Sequence, residues 1–235
     1  MCGRFSLTPG AIPLLADAFG VEAAALPGRW NIAPTQPVAI VRVTDGRREL
    51  VQARWGLLPA WLADAARAPL LINARADTVS QKPAFRDALR RRRCLVPADG
   101  FFEWAPPPAG ASRAAPKQPH WFRLAEGGPL ALAGLWEGWT PPGGRPALSV
   151  TLITTEANAC VAPVHDRMPV ILPREAYATW LDPSLDDPAA VLPLLRPYPA
   201  EWMTRTPVST RLNAAREDDP SLVEPASPVV QPRLF

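Results

Sequence analysis

Apolar residues recur along this chain in two kinds of spacing, and the helical kind is the less common. It predicts helices over residues 11–26, 82–93 and 173–181. In the second of these, Pro83 stands in the first turn, where backbone N–H groups have no partner within the helix, so the N–H that proline lacks is not needed. Residues 27–37 carry several prolines and predict a loop between the first helix and the strands that follow.

Shorter apolar runs rich in β-branched and aromatic residues predict strands. They cover residues 38–43, 46–58, 70–75, 94–104, 120–124, 130–139 and 147–155. Asp45-Gly46 is a strong hairpin signal between the first two runs, and Asp99-Gly100 predicts a turn within the fourth. Helices and strands do not alternate regularly, so we expect an α+β fold with a mainly antiparallel, barrel-like β core and peripheral helices.

The length of 235 residues suits a single domain, and we expect one that spans residues 1–235. Within it, the proline- and alanine-rich stretch 105–119 predicts a flexible loop. The last thirty residues predict an extended, proline-rich segment that ends in a tail over 226–235.

Composition narrows the class of protein. Hydrophobic residues make up 48% and charged residues 20%, which is typical of a folded chain. No apolar run approaches a membrane span and no secretory signal is present, so we expect a cytoplasmic protein without membrane contact. Three cysteines argue against a disulfide framework. The net charge of +3, carried almost entirely by arginine, is compatible with an anionic partner.

Cys2 carries the most informative chemistry. Initiator methionine is commonly removed before a small residue, which would leave a free α-amine and a thiol two carbons apart. Such a 1,2-aminothiol condenses with an aldehyde to an imine, and the thiol then closes a thiazolidine ring. The alternative is that position 2 is cysteine by chance in a frayed terminus.

Two further residues are candidates for proton transfer. Glu103 lies in ADGFFEW, where aromatic neighbours would desolvate the carboxylate and raise its pKa. His165 lies in a polar break between apolar runs, in APVHDRMPVIL. A charged residue on an outer strand face and a hydrogen-bonded loop histidine are the competing interpretations. The other histidine, His120, we interpret as structural.

An anion-binding pocket is indicated by Asn73 and Arg75, which would point to the same face of a strand, with Arg4 adding positive charge near Cys2. The run of four arginines at 90–93 ends a predicted helix and is interpreted as a solvated face, with a nucleic-acid contact as the alternative. The cysteine and histidine spacing does not fit a zinc site, and we expect no metal and no cofactor.

A series of motifs resembles one known family. They are MCGRF at the start, NIAPTQ (31–36), RWGLLPAW (54–61), INAR (72–75), CLVPADGFFEW (94–104), LITTEAN (152–158), HDRMPVIL (165–172) and VSTRLNAAREDDPSLVEP (208–225). In this order they resemble the SRAP family, the SOS-response-associated peptidase domain proteins that process abasic sites. The resemblance spans nearly the whole chain.

The resemblance implies a function and a set of site residues. It implies covalent attachment to abasic sites in single-stranded DNA through Cys2, with Asn73, Glu103 and His165 as the other catalytic residues. It implies DNA contacts from Arg4, Pro34, Trp61, Arg75 and Arg167. It also implies removal of Met1, by self-processing or by an aminopeptidase, and a lyase activity through the imine.

One departure from the family pattern is Leu62, which stands where some members carry a second tryptophan. We expect a monomer that associates with the nucleoid when bound to DNA; the sequence names no replication partner. Two alternative functions remain open at this stage. One is an N-terminal-nucleophile amidohydrolase of the glutamine amidotransferase type, and the other is a non-catalytic single-stranded-DNA-binding protein.

Overall fold

A computed structural model of the chain describes residues 2–22, 25–62, 64, 69–107, 110, 112, 116–140 and 144–226. In chain order the strands are β1 (Arg4–Leu7), β2 (Arg29–Ile32), β3 (Pro37–Thr44), β4 (Arg47–Trp55), β5 (Asn73–Arg75), β6 (Arg93–Ala98), β7 (Gly100–Ala105), β8 (Gln118–Leu124), β9 (Leu130–Trp139), β10 (Ala147–Glu156), β11 (Arg167–Pro169) and β12 (Met203–Pro207). The α-helices are α1 (Leu15–Phe19), α2 (Arg86–Arg91) and α3 (Tyr177–Leu181). Short 3-10 helices are Ile12–Leu14, Arg174–Ala176, Pro188–Ala190, Leu192–Leu194, Ala200–Trp202, Thr210–Asn213 and Pro220–Val223.

The strands form two sheets. The smaller has the order β12-β8-β7-β1-β2, and all its pairs are antiparallel. The larger has the order β11-β10-β4-β3-β6-β9, and β9 also pairs with β10, so these pairings return to their starting strand and form a ring. The expected α+β fold with a mainly antiparallel, barrel-like core is therefore confirmed.

Strand β10 belongs to two arrangements along its length. Residues 147–152 pair with β9 and, at 149–150, with β4, inside the ring. Residues 152–154 pair in parallel with β5, and residues 154–156 pair with β11, and both of these neighbours lie outside the ring. The second half of β10 therefore lies between two short strands, β5, which contains Asn73, and β11, which contains Arg167.

The strand predictions match the structure better than the helix predictions. The predicted helix 11–26 is wrong beyond residue 19, because Gly20 ends α1 in the left-handed conformation at φ 65°. The predicted loop 27–37 contains β2. Helix α2 begins at Arg86, so Pro83 precedes the helix and does not lie within its first turn.

The predicted turn at Asp99-Gly100 is a crossing between sheets. Strand β6 belongs to the larger sheet and β7 to the smaller, and Asp99 alone separates them. Its carboxylate accepts hydrogen bonds from the backbone and side chain of Thr8, 3.1 Å away at the backbone nitrogen, which fixes the crossing beside β1. This crossing brings β7, with Glu103, against the larger sheet.

Arg93 is an exception to the solvated arginine face expected for 90–93. Its side chain is buried and donates hydrogen bonds to the carbonyls of Leu89 at 2.7 Å and Trp180 at 2.6 Å, and to that of Asp182. The guanidinium satisfies backbone acceptors at the ends of α2 and α3, so this residue has a structural role.

The C-terminal segment, residues 208–226, folds back over the smaller sheet. It is not extended as predicted, because it contains two 3-10 helices. Val208, Leu212 and Leu222 pack on Phe102 as a small second core. Residues 227–235 of the predicted tail, and six residues of the predicted loop 105–119, lie outside the described residues. None of the helices in the described part of the chain has the length and apolarity to cross a bilayer.

Candidate functional site

A cleft of about 480 Å³ opens where the two sheets meet the C-terminal segment. It is lined by Arg4, Glu103, Trp104, Lys117, His165 and Asn213. These residues come from five separate parts of the chain: β1, β7, the approach to β8, the loop before β11 and the C-terminal segment. A cavity of about 390 Å³ beside α1 and α3 is lined mainly by apolar side chains and contains no histidine or cysteine.

Cys2 is fully buried beside this cleft. Its carbonyl accepts a hydrogen bond from Asn73 Nδ2 at 2.9 Å, and its thiol lies 3.7 Å from the carbonyl of Arg4, to which it donates. Burial raises the pKa of the Cys2 thiol, and the carboxylate of Glu103 raises it further. The sulfur is therefore protonated at neutral pH and needs a neighbouring base to become nucleophilic.

Glu103 provides a candidate for that base. It lies on β7, and the residue is only 3% exposed. Burial raises its pKa to about 7, so both protonation states are populated near neutral pH. This agrees with the raised pKa expected from its aromatic sequence neighbours.

His165 faces the same carboxylate from the loop before β11, which belongs to the larger sheet. Its Nε2 lies 4.0 Å from Glu103 Oε2. Its Nδ1 accepts a hydrogen bond from the backbone N–H of Arg167 at 2.9 Å, so the neutral ring carries its proton on Nε2, toward Glu103. Burial lowers the pKa of His165, which favours this neutral form. Nδ1 is also 3.0 Å from Asp166 Oδ1, and that carboxylate acts in the opposite direction on the pKa.

Asn73 joins this group through β5. Its Nδ2 is used by the Cys2 carbonyl, whereas its Oδ1 is buried and has no hydrogen-bond partner among the described residues. A buried acceptor without a partner is costly, so it is well suited to receive a donor from a bound substrate or from the amine of Cys2.

The three predicted arginines are placed differently. Arg4 donates to Asn31 Oδ1 at 2.7 Å and to the carbonyl of Leu212 at 2.9 Å, so it ties the C-terminal segment to β1 as well as lining the cleft. Arg167 donates to the carbonyl of Thr154 at 2.7 Å. Arg75 is exposed and pairs with Asp77 at 2.7 Å.

Trp61 and Pro34 are not among the residues that line the cleft. Trp61 is 69% exposed, and Pro34 lies half-buried in the turn between β2 and β3. The exposed indole offers a large flat surface of the kind on which nucleic-acid bases stack.

Sequence reasoning missed three residues of the cleft wall: Trp104, Lys117 and Asn213. The indole N–H of Trp104 donates to Asn213 Oδ1, and Arg4 lies over the Trp104 ring at 5.9 Å. Asn213 lies within the late motif VSTRLNAAREDDPSLVEP, and Lys117 is one of two lysines in the chain. These two features could have drawn attention to Asn213 and Lys117, although neither feature indicates that the residue lies near Cys2.

The arrangement suits carbonyl chemistry on an anionic substrate. A buried thiol, a carboxyl group with a pKa of about 7 and a neutral imidazole can exchange protons, while Arg4 and Lys117 supply positive charge. No group of three or more His, Cys, Asp or Glu side chains that could hold a metal ion occurs in the part of the chain that the structure describes.

Comparison with known proteins gives consistent results. A family model described as SOS response associated peptidase (SRAP) matches residues 1–215. The chain is 37% identical over 230 residues to the abasic site processing protein YoqW of Bacillus subtilis, covering 95% of this chain and 99% of YoqW. It is 33% identical over 205 residues to the abasic site processing protein HMCES of Gallus gallus, covering 77% of this chain and 59% of that protein.

The fold is also similar to solved structures. A protein from Bacteroides thetaiotaomicron superposes with a TM-score of 0.83 at 27% identity, covering 96% of this chain and all of that one. A protein from Bordetella bronchiseptica gives a TM-score of 0.73, also at 27% identity, over 88% of this chain.

Proposed function

Because the chain belongs to the SOS response associated peptidase family, we propose that it binds abasic sites in single-stranded DNA and links to them covalently through Cys2. The observation that carries this proposal is the buried Cys2 beside Glu103, whose pKa is about 7, with His165 4.0 Å from that carboxylate. The whole chain acts as one SRAP domain and as a monomer in the cytoplasm, at the nucleoid when DNA is bound.

The first step is removal of Met1, which frees the α-amine of Cys2. Without it the residue has a thiol and an amide nitrogen, and an amide cannot form an imine. Self-processing would use the same acid–base groups on the peptide bond before Cys2, which accounts for the word peptidase in the family description.

The second step opens the abasic sugar, which exists mostly as a closed hemiacetal. The proton of the hemiacetal hydroxyl must be removed, and the ring oxygen must be protonated as the C–O bond breaks. Glu103 as carboxylate takes the first proton and then passes it to the ring oxygen, while Nε2–H of neutral His165 donates a hydrogen bond to that oxygen, so both groups end the step in their starting protonation states. The product is an aldehyde with a new hydroxyl near His165.

The third step joins protein and DNA. The unprotonated amine attacks the aldehyde, one water leaves, and an imine forms. The thiol then adds across the C=N bond: sulfur bonds to carbon, and the thiol proton reaches nitrogen by way of Glu103. The net change is the loss of one water, with no oxidant or reductant.

Asn73 and the cations hold the reacting groups. Asn73 Nδ2 fixes the Cys2 backbone, and its free Oδ1 accepts a hydrogen bond from the amine or the opened sugar. Arg4, Arg75 and Arg167 neutralise phosphates, and nearby positive charge also lowers the pKa of the amine. Trp61 and Pro34 pack against the flanking bases.

The imine also gives access to a lyase reaction. It acidifies the neighbouring C–H of the sugar, so a base can remove that proton and expel the 3′ phosphate. Closure of the thiazolidine ring competes with this elimination, so a fast thiol addition protects the strand from cleavage. Covalent capture of the lesion is then the main outcome, as expected for a protein of the DNA damage response.

The test is incubation of the Met1-processed protein with an abasic single strand, followed by denaturing electrophoresis and intact mass measurement. The expected product has the summed mass of protein and DNA less one water. The matched controls are an undamaged strand and an abasic strand whose aldehyde has been reduced with borohydride. Absence of the product at neutral pH would contradict the proposal, as would an equal yield from the reduced strand.

A second arm tests the role of the amine. An uncleavable N-terminal extension leaves the thiol in place but converts the amine to an amide, so we expect no product. Full crosslinking by the extended protein would show that the thiol acts alone.

A further inference from the structure

The two acid–base groups of the cleft are held by different sheets. Glu103 lies on β7 of the smaller sheet, whereas His165 lies near the end of the loop that joins β10 to β11 of the larger sheet. Their 4.0 Å separation therefore depends on how that loop, residues 157–166, is held against the smaller sheet. Backbone pairing holds Asp166 against the end of β10, through the hydrogen bond from the Ala157 N–H to its carbonyl at 3.0 Å, but it does not set the distance of the loop from the smaller sheet.

Asn158 organises this loop from its beginning. Its Oδ1 accepts hydrogen bonds from the backbone nitrogens of Cys160 and Val161, each at 3.1 Å. The carbonyl of Val161 in turn accepts the backbone N–H of His165 at 3.1 Å. Val161 therefore links the two residues: its N–H bonds to Asn158 Oδ1, and its carbonyl bonds to the backbone N–H of His165.

The donor half of the same amide reaches the other sheet. Nδ2 donates to the carbonyl of Tyr198 at 2.6 Å and to Met203 Sδ at 3.2 Å. Met203 is the first residue of β12, in the smaller sheet. The backbone nitrogen of Asn158 lies 3.4 Å from Met168 Sδ, in β11. The sulfurs of both Met168 and Met203 therefore bind Asn158, one from each sheet.

We propose that Asn158 is a positioning residue that sets the distance between His165 and Glu103 by tying the loop that carries His165 to the smaller sheet. This inference rests on the proposed function for its catalytic consequence. Asparagine is needed because acceptor and donors must sit on one short side chain. Aspartate would keep the Oδ1 bonds within the loop but place an oxygen against the Tyr198 carbonyl.

The experiment compares Asn158→Asp with the wild type. We measure the crosslinking rate at saturating abasic strand and the affinity for an undamaged strand. We expect a rate lower by about 10- to 100-fold, since a displacement of about 1 Å in a catalytic group has effects of this size, and an unchanged affinity. Asn158→Ala, which removes both halves of the tie, should be at least as slow.

A double-mutant cycle separates positioning from general damage to the fold. In a His165→Ala protein, Asn158→Asp should cause no further loss of rate, because its effect passes through His165. A full additional loss in that background would overturn the inference, as would a normal rate for Asn158→Asp alone.

A second readout needs no crosslinking activity. The chain has two histidines, so NMR titration resolves both rings, and His120→Gln assigns them. Asn158→Ala, which adds no charge, should move the pKa of His165 toward its ordinary value, because the ring loses its half-buried place, and leave that of His120 unchanged. Should the wild type fail to crosslink, the proposed function fails, and this titration still decides the inference: an unmoved His165 pKa overturns it.

Discussion

The cleft and the rest of the fold contain the same reactive residue types in similar burial. In or beside the cleft they are Cys2, Glu103 and His165; elsewhere they include Cys94, Glu137 and His120. Both cysteines are fully buried with raised thiol pKa values, both glutamates are buried with raised carboxyl pKa values, and both histidines have pKa values lowered by burial. Burial alone therefore does not distinguish the proposed site.

The difference lies in the partners. Glu137 is held by Arg92, with 2.7 Å between Oε1 and Nε, so its carboxylate is already neutralised. Glu103 instead lies 4.0 Å from a histidine that is neutral near pH 7, and its charge acts on Cys2. Cys94 packs within the core of the larger sheet, without a carboxylate among the groups that shift its pKa. The cleft therefore differs from the core in that its reactive groups lie close enough to change one another's pKa values.

The largest expected effect concerns the cysteines. Cys2→Ala should abolish the crosslink, because neither the imine trapping nor the ring closure can occur without sulfur. Cys94→Ala should crosslink normally per folded molecule and lose about 1–2 kcal/mol of stability from the cavity it creates. Denaturing electrophoresis and urea unfolding measure the two quantities. A crosslink from Cys2→Ala would remove the distinction between the two thiols.

The glutamates come next. Glu103→Gln should slow crosslinking at saturating DNA by about 1,000-fold, since it removes a group that exchanges protons in two steps. Glu137→Gln, the matched control, should leave the rate unchanged and lose on the order of 1 kcal/mol of stability through its pair with Arg92. Single-turnover kinetics give both rates. Equal slowing in the two variants would mean that burial of a carboxyl group, and not its partners, determines activity.

The histidines sharpen the same comparison. His165→Ala should slow crosslinking by about 100-fold with little change in DNA affinity, because the Nε2–H of the ring stabilises the leaving oxygen in ring opening. His120 lies directly opposite Glu103 in the β7–β8 register. The variant His120→Gln therefore tests whether a histidine affects the rate merely by being a neighbour of Glu103. We expect no change in rate for that variant. If affinity falls in His165→Ala while the saturated rate does not, His165 is a binding group.

The smallest effect is on stability as a function of pH. The pKa of Glu103 rises from an ordinary value of 4.5 to about 7 in the folded chain. Between these values the folded state holds a proton that the unfolded state has lost, so stability from this group falls as pH rises from 4.5 to 7. Glu103→Gln should remove that part of the fall, and urea unfolding at several pH values measures it. Parallel curves for the wild type and the variant would contradict the raised pKa.

Sequence predicted strands β3 to β10 because runs rich in β-branched and aromatic residues are typical of buried strands, but it did not predict the short strands β1, β2, β11 and β12. It overextended the first helix, since an alanine-rich run continues past Gly20 with helical spacing. It misjudged Arg93, because a buried guanidinium that satisfies backbone carbonyls has no signature in a run of arginines. Cys2, Glu103 and His165 were singled out from their local context and a family resemblance.

The cleft wall could not be predicted in the same way. Asn213 meets Trp104 only because the C-terminal segment folds back over the smaller sheet, and Lys117 lies near Trp104 because β7 and β8 pair across the stretch between them. Nothing local to either residue encodes these contacts. The role of Asn158 is hidden for the same reason, since its partners Tyr198 and Met203 are 40 and 45 residues away along the chain.

Strand β10 separates two tasks within ten residues. Its first half closes the ring, so substitutions there act on folding. Its second half carries β5 and β11 outside the ring, so changes there alter the site with the barrel still closed. Of the residues in this second half, Ile153, Thr154 and Thr155 are buried, and only Glu156 is exposed. Redesign of the site with the ring left intact would therefore begin on β5 and β11, the two short strands that pair outside it.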